Sequence, residues 1–201
     1  EKKNNQTSIY IKGKQELKSN NINVPSDLSS SAFFIIAALI NKGSKIKLNN
    51  ININPSRDGI LKALKKMGAK ISIKNKRTVS GEIVADLEVE YSNLVGCELD
   101  AEMAKFMIDE YPILSIAAAF AKGTSIFRGL KELKVKESDR LELIRLNLVN
   151  CGCDCKVIND DLVIKPSETY IPKNNIIKTD FDHRIAMSFA VMGSKIDNLV
   201  I

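Results

Sequence analysis

Residues 37–46 read AALINKGSKI and residues 117–126 read AAAFAKGTSI, so one pattern occurs twice in this chain of 201 residues. Each copy is an alanine-rich apolar segment that ends in Lys-Gly and runs into a short strand. A glycine at that point tolerates the left-handed backbone that ends a helix. A third, shorter copy occupies 185–196, with Gly193 in the same role. Because the helical part of each copy is apolar nearly all round, we expect three buried helices.

A second helix is expected after each full copy of the repeat, at residues 58–67 and 138–151. In both, apolar residues are spaced for one helix face, and a glycine follows the helix, Gly68 in the first copy and Gly152 in the second. Both helices should therefore pack one side against the core.

Strands are expected after these helices, at residues 69–73 and 153–158. A further strand at 162–164 should pair with the second of them across the turn sequence at 159–161. The unit strand, helix, strand, helix, strand, strand thus occurs twice in full and once in part. It predicts an α/β fold in which small sheets surround the three buried helices, near 29–41, 110–121 and 184–192.

The composition is that of a globular domain with an excess of positive charge. Hydrophobic residues make up 44% of the chain and the formal net charge is +6. This charge is compatible with an anionic partner, such as a phosphorylated metabolite, but on charge alone solvated lysines on helix faces are the favoured explanation. The chain has no Trp, and its basic residues do not alternate with aromatic ones, so we expect no nucleic-acid partner. The longest apolar run, 32–40, is far shorter than the roughly 20 residues of a membrane span, so we expect no membrane partner.

The four cysteines are Cys97, Cys151, Cys153 and Cys155, and the last three alternate with other residues. Zinc sites usually contain C-x-x-C pairs, whereas this spacing places side chains on one face of a strand. We interpret the cysteines as small core residues, with a zinc site as the less favoured alternative, and we expect no metal. Reduced thiols and polar residues at 1–7, which do not resemble a signal peptide, are typical of a cytoplasmic protein.

An aspartate precedes each predicted buried helix: Asp27, Asp109 and Asp182. The simple role of such a residue is to cap the helix by accepting hydrogen bonds from free backbone N–H groups. We expect capping for Asp27. Asp109 adjoins a second carboxylate and a proline, and Asp182 leads straight into His-Arg, so these two are less like simple caps.

The densest polar cluster is KVKESDR at residues 134–140. If a helix begins near Ser138, then Lys136, Glu137 and Arg140 gather at its N-terminus, where free N–H groups and the helix dipole favour anions. Arginine adds a planar fork that fits phosphate or carboxylate. A capped helix start with solvated salt bridges is the alternative interpretation.

His183 is the only histidine in the sequence. Zinc needs three or four ligands, so a single histidine is a poor metal site. We expect His183 to be a hydrogen-bonded structural residue beside Arg184.

Six sequence motifs together resemble those of the 5-enolpyruvylshikimate-3-phosphate synthases. The motifs are VPSDLSS at 24–30, NPSR at 54–57, DEYP at 109–112, KGT at 122–124, VKESDR at 135–140 and DHRIAM at 182–187. They occur in the order and spacing typical of that family, and the resemblance covers residues 8–201. The UDP-N-acetylglucosamine enolpyruvyl transferases share fold and chemistry, but they lack the KESDR and DHRIAM signatures.

The resemblance implies an enolpyruvyl transferase-type inside-out prism: two domains, each built from three βαβαββ units, with the active site between them. On that basis residues 1–22, including a strand at 8–12, are expected to be a remnant of the N-terminal domain. Residues 23–201 are expected to form most of the C-terminal domain. The reaction transfers the carboxyvinyl group of phosphoenolpyruvate to the 5-hydroxyl of shikimate 3-phosphate and releases phosphate, without metal or cofactor. It belongs to the shikimate pathway of aromatic amino acid biosynthesis, and the full-length enzyme is expected to be a cytoplasmic monomer.

The resemblance also assigns roles to individual residues. Asp109 is the expected base for the attacking hydroxyl and contacts shikimate 3-phosphate, as does Lys136. Glu137 is the expected acid at the methylene carbon. Arg140 and Arg184 are expected to hold phosphoenolpyruvate. The rest of the family's site, including a lysine expected soon after residue 201, is outside this sequence, so we expect the chain to be inactive alone.

Two other interpretations belong to different functional classes. The chain could be a stand-alone module that binds phosphorylated small molecules, or a degenerate domain without catalysis. The intact motifs around Asp109, Glu137, Arg140 and Arg184 argue against degeneration.

Overall fold

The computed structural model describes residues 2–3 and 6–201, which form six α-helices and nine strands. The helices are α1 (Leu28–Ile40), α2 (Gly59–Lys66), α3 (Ala104–Met107), α4 (Tyr111–Ala119), α5 (Arg140–Asn150) and α6 (His183–Gly193). The strands are β1 (Lys2–Lys3), β2 (Gln6–Thr7), β3 (Lys45–Asn52), β4 (Lys70–Val79), β5 (Glu82–Glu90), β6 (Glu98–Leu99), β7 (Ser125–Phe127), β8 (Asp154–Ile158) and β9 (Asp161–Lys165). Short 3₁₀ turns lie at Ala101–Met103, Ile108–Glu110 and Lys131–Val135.

Helices α1, α4 and α6 contact one another at the centre of the structure. Every residue of α4 is buried, and Ala38, Ala117 and Ala118 are almost inaccessible to solvent. The prediction of three central helices is therefore confirmed. Helices α1 and α6 are less completely buried than α4, because α1 exposes Phe34 and α6 exposes Met187 to solvent. Asn41, just after α1, donates to Ser194 Oγ, just after α6, at 2.8 Å, so these two helices also end side by side.

Each central helix is flanked by two segments that pair in parallel. Around α4 these are β6 and β7; around α1 the pairing shrinks to a bridge between Ser26 and Ile51, and around α6 to one between Ile176 and Val200. The first full unit continues into the sheet β3-β5-β4 and the second into the sheet β6-β7-β9-β8. The repeated βαβαββ unit is thus confirmed. Strand β4 runs to Val79, well beyond the predicted 69–73, because it pairs with β5 as a long antiparallel hairpin.

The predicted strand at 8–12 is absent. Ile9, Tyr10 and Ile11 are exposed and form no ladder, whereas the strands found near this end are β1 and β2, which pair with each other. A strand is stabilised by cross-strand partners, and Ile9, Tyr10 and Ile11 belong to no sheet of the described structure. The assignment of 1–22 to another domain stays a prediction.

Helix ends follow the expected glycine rule in all copies but one. Gly43 and Gly123 have φ of 85° and 89°, in the left-handed region. Gly193 is instead the last residue of α6 and is not left-handed, so its predicted role is wrong. The chain leaves α6 through a tight turn, in which the N–H of Ser194 donates to the carbonyl of Val191 at 3.1 Å.

All four cysteines are buried and free, as the sequence predicted for small core residues. Burial raises the pKa of Cys151 to about 11 and that of Cys153 to about 12, so these thiols stay protonated. Across residues 2–3 and 6–201, no group of three or more His, Cys, Asp or Glu side chains is arranged to hold a metal ion. Within the same residues, no helix is both long enough and apolar enough to span a bilayer.

Candidate functional site

The N-terminal ends of the three central helices meet at one pole of the structure. The guanidinium of Arg184, in the first turn of α6, donates through Nη1 to Ser29 Oγ of α1 at 2.8 Å. The same nitrogen donates to the main-chain carbonyl of Asp109, just before α4, at 3.0 Å. Each of the three residues comes from a different copy of the repeat. Free N–H groups and helix dipoles make such a convergence favourable for anions.

Asp182 caps α6 and also joins it to α5. Its carboxylate accepts from the Arg184 N–H at 2.9 Å, from Ser138 Oγ at 2.9 Å and from Arg140 Nε at 2.8 Å. The side chains of Asp182 and Arg140 are both 0% exposed. Burial alone raises the pKa of Asp182, but the hydrogen bonds from Arg140, Ser138 and the Arg184 N–H outweigh it and lower the pKa. Asp182 is thus a cap and half of a buried ion pair, which fits its unusual sequence context.

Arg140 is enclosed by carboxylates. Besides Asp182, it pairs with Asp109 Oδ1 through Nη1 at 3.0 Å and with Glu137 through Nη2. Glu137 is 57% exposed and Asp109 is 35% exposed. An anionic ligand can reach Arg140 only by replacing one of these carboxylates, and Glu137 is the most accessible of them. The sequence pattern had predicted Arg140 as an anion site but could not show this enclosure.

Lys136 lies between two acidic side chains. Its Nζ is 2.8 Å from Glu132 Oε1 and 3.7 Å from Asp109 Oδ1. The hydrogen bond to Glu132 is the main reason that the pKa of Lys136 is raised, with Asp109 adding to it. Lys136 is therefore a cation at neutral pH, next to the carboxylate of Asp109.

Helix α5 begins at Arg140, two residues later than the predicted start at Ser138. Asp139 is the cap, because its side chain accepts from the Glu142 N–H at 3.0 Å. Lys136 and Glu137 still lie beside the helix N-terminus, as predicted.

Of the other two aspartates, Asp27 is a cap and Asp109 is not. Asp27 accepts from the Ser30 N–H at 2.8 Å and from Ser30 Oγ at 2.9 Å, which confirms the prediction. Asp109 lies in the 3₁₀ turn before α4, where its carboxylate accepts no capping hydrogen bond and instead faces Arg140 and Lys136. Its role as a base stays a prediction.

The prediction for His183 is wrong. His183 is exposed at the first residue of α6, and its side chain forms no hydrogen bond with any residue in the described part of the chain. The adjoining Asp182 and Arg184 form the structural contacts instead.

Two buried polar residues at this pole were not predicted as part of the site. Ser29 lies under Arg184, and Glu110 follows Asp109. Burial raises the pKa of Glu110, while a hydrogen bond with Ser29 and the charge of Arg184 act in the opposite direction. Their positions inside the SDLSS and DEYP motifs were the signals available in the sequence.

Comparison with known proteins identifies the family. A sequence profile of EPSP synthase (3-phosphoshikimate 1-carboxyvinyltransferase) matches residues 1–201. The chain belongs to the EPSP synthase family. It is 47% identical over 186 residues to the 3-phosphoshikimate 1-carboxyvinyltransferase of Paramagnetospirillum magneticum, covering 92% of this chain and 42% of that protein. It is 46% identical over 185 residues to that of Cereibacter sphaeroides, covering 92% of this chain and 41% of that protein.

Solved structures of the family show the same fold. The EPSP synthase of Acinetobacter baumannii superposes with a TM-score of 0.86 at 38% sequence identity, over 92% of this chain and 43% of that one. The enolpyruvyl transferase NikO from Streptomyces tendae superposes with a TM-score of 0.54 at 18% identity, which is a likeness of fold alone. The predicted enolpyruvyl transferase-type fold is therefore confirmed. The chain spans 42% of the length of the P. magneticum EPSP synthase.

Proposed function

We propose that this chain provides one domain's share of an EPSP synthase active site. The proposed reaction transfers the carboxyvinyl group of phosphoenolpyruvate to the 5-hydroxyl of shikimate 3-phosphate. The observation that carries the proposal is the meeting of Asp109, Lys136, Glu137, Arg140 and Arg184 at one pole of a chain of this family. The free thiols of this family member support a cytoplasmic enzyme. We further propose that 23–201 are most of its C-terminal domain, that 1–22 belong to the N-terminal domain, and that the complete enzyme is a monomer.

The chemistry divides between two carboxylates. In the addition step, the 5-hydroxyl oxygen bonds to C2 of phosphoenolpyruvate, its proton passes to Asp109, and C3 gains a proton. In the elimination step, C3 loses a proton, the C2–O bond to phosphate breaks, and the double bond returns. The resemblance assigns the proton at C3 to Glu137, which is the most exposed of the three carboxylates that pair with Arg140 and can leave it when an anion binds there.

Arg184 is the cation best placed to take a phosphate or carboxylate of the ligand. Its guanidinium is held only by a hydroxyl and a carbonyl, and it forms no ion pair with a carboxylate in residues 2–3 and 6–201. Arg140, in contrast, has three carboxylate partners. An anion that binds Arg184 therefore has no carboxylate to displace, whereas one that binds Arg140 does.

In a complete synthase that contains this chain, we expect Arg184→Ala to weaken phosphoenolpyruvate binding by roughly 10- to 100-fold, the effect of losing a hydrogen bond to a charged group. Direct titration and the KM for phosphoenolpyruvate would measure this. Arg145→Ala is the matched control, since Arg145 is a surface arginine of α5 paired with Glu142. Equal effects of the two substitutions would contradict a role for Arg184 in the site.

We expect no turnover from the 201-residue chain alone. It spans about two fifths of its relatives, and electrostatic stabilisation of this kind needs a complete, closed and preorganised site. Phosphate release from the two substrates together should stay at background. Clear activity would show that the chain holds a complete site.

A further inference from the structure

The guanidinium of Arg184 is positioned by neutral groups. Its Nη1 donates to Ser29 Oγ at 2.8 Å and to the Asp109 carbonyl at 3.0 Å. The carbonyl belongs to the main chain and is fixed by the turn before α4. Ser29 is the side chain that decides where the fork of Arg184 lies.

The hydroxyl of Ser29 has a second partner available. A serine hydroxyl can accept one hydrogen bond and donate another. Since Ser29 accepts from Arg184, its own hydrogen is available to the carboxyl group of Glu110, whose pKa is raised by burial and lowered in part by the Ser29 hydroxyl. Ser29 and Glu110 are both buried. The three side chains Glu110, Ser29 and Arg184 therefore form a row that crosses the starts of all three central helices.

We propose that Ser29, oriented by Glu110, is the positioning residue for Arg184 and thereby sets the affinity of the site for the phosphorylated enolpyruvyl substrate. The proposal rests on the function proposed above for Arg184. Ser29 and Glu110 touch the arginine and not the reacting atoms, so neither is a catalytic residue.

Two physical reasons make this arrangement suitable for an anion site. A neutral acceptor holds the guanidinium without a direct ion pair, so more of the positive charge is left for the ligand than a carboxylate partner would leave. An arginine that is already in place also loses less conformational freedom when the anion binds. A carboxylate at position 29 would form an ion pair with Arg184 and reduce the charge available to the ligand. An apolar side chain there would leave the guanidinium without its hydrogen bond to position 29.

The test uses a complete synthase that contains this chain. Ser29→Ala removes one hydrogen bond from the guanidinium but leaves its charge for the ligand, so we expect the KM for phosphoenolpyruvate to rise by roughly five- to tenfold with kcat changed less than about threefold. Ser29→Thr keeps the hydroxyl and should restore the KM. Ser31→Ala is the matched control, because Ser31 is a buried serine of the same helix whose hydroxyl donates to the Asp27 carbonyl at 2.7 Å.

A double-mutant cycle separates this inference from the function on which it rests. In an Arg184→Ala background, Ser29→Ala should have no further effect on the KM, because its target is gone. If Arg184→Ala itself leaves the KM unchanged, the proposed function of Arg184 is wrong. If Arg184→Ala raises the KM but Ser29→Ala does not, or if Ser29→Ala acts equally in both backgrounds, only the positioning role is wrong.

The role of Glu110 is tested with two further variants. Glu110→Gln keeps the volume and an acceptor, so its KM should stay within about twofold of the parent value. Glu110→Ala should raise the KM as Ser29→Ala does, and a parent-like KM in Glu110→Ala would show that Glu110 does not orient Ser29.

Discussion

In a complete synthase that contains this chain, Asp109→Ala is expected to lower kcat by about 10² to 10⁴, the usual effect of removing a general base. The 5-hydroxyl is a poor nucleophile until its proton is taken in the transition state. Asp109 is the partly exposed carboxylate beside Lys136 and Arg140, and it is not used as a helix cap. Phosphoenolpyruvate affinity should change less than tenfold, or below ~1.4 kcal/mol, because other groups hold that substrate.

Asp109→Asn is the stricter version of this experiment. It keeps the shape and one acceptor oxygen for Arg140, so the buried arginine stays satisfied while the base is lost. Steady-state kinetics should show the same loss of kcat in both variants, and direct binding should show a change in phosphoenolpyruvate affinity of less than about tenfold. Near-normal kcat in Asp109→Asn would leave Asp109 as a partner of Arg140 only, and Glu137 would become the leading candidate for the base.

Asp182→Ala should be the most destabilising substitution at this pole. Breaking a buried ion pair by removing one partner costs about 3–5 kcal/mol, because the remaining charge is left buried. Arg140 has no solvent exposure, and its other carboxylate partners, Asp109 and Glu137, are both partly exposed. The free energy of unfolding from urea denaturation would measure the loss in the 201-residue chain.

Asp27→Ala provides the matched control for Asp182→Ala. Both aspartates cap a central helix, but Asp27 forms no ion pair within residues 2–3 and 6–201. Losing a cap alone costs about 0.5–2 kcal/mol. The excess for Asp182→Ala therefore measures its ion pair, and equal losses in the two variants would show that Arg140 does not depend on Asp182.

The ion pair between Asp182 and Arg140 also makes the free energy of unfolding depend on pH. The folded-state pKa of Asp182 is lowered, so its contribution is complete above the ordinary aspartate pKa of about 3.9. It is lost as the pH falls below that value and through the folded-state pKa. In Asp182→Ala, the unfolding free energy should change less steeply in this acidic range.

The repeat predicted the central helices because burial on all sides is visible in local composition. The segment at 110–121 is apolar nearly throughout, and α4 is buried in full. The ends of helices were also predictable from local sequence. Gly68 and Gly152 follow α2 and α5 in the left-handed conformation, with φ of 81° and 90°. Asp27 caps α1 as predicted, because it accepts from the N–H of Ser30, only three positions along the chain.

Features that depend on distant partners could not be predicted in this way. Arg140 was expected to face a ligand, but its enclosure depends on Asp109, which lies 31 residues earlier in the same repeat, and on Asp182, which lies in the next one. The predictions of a hydrogen-bonded His183 and of a strand at 8–12 were wrong because they also depended on partners elsewhere in the chain. The residue types are compatible with a hydrogen bond and a strand, yet in the described structure His183 is exposed, and Ile9, Tyr10 and Ile11 are exposed and belong to no sheet.

The hydrogen bond between Ser29 and Arg184 joins residues 155 positions apart in the chain. A ribosome that adds about 5–20 residues per second delivers the arginine on the order of ten seconds after the serine. During that interval α1 has been made, but the pole where it begins has neither Arg184 nor α6. Early apolar segments of this kind are exposed to aggregation until their distant partners arrive. The contact between Ser29 and Arg184 can therefore form only after α6 has left the ribosome, and anion binding at this pole would report that synthesis and folding have both reached α6.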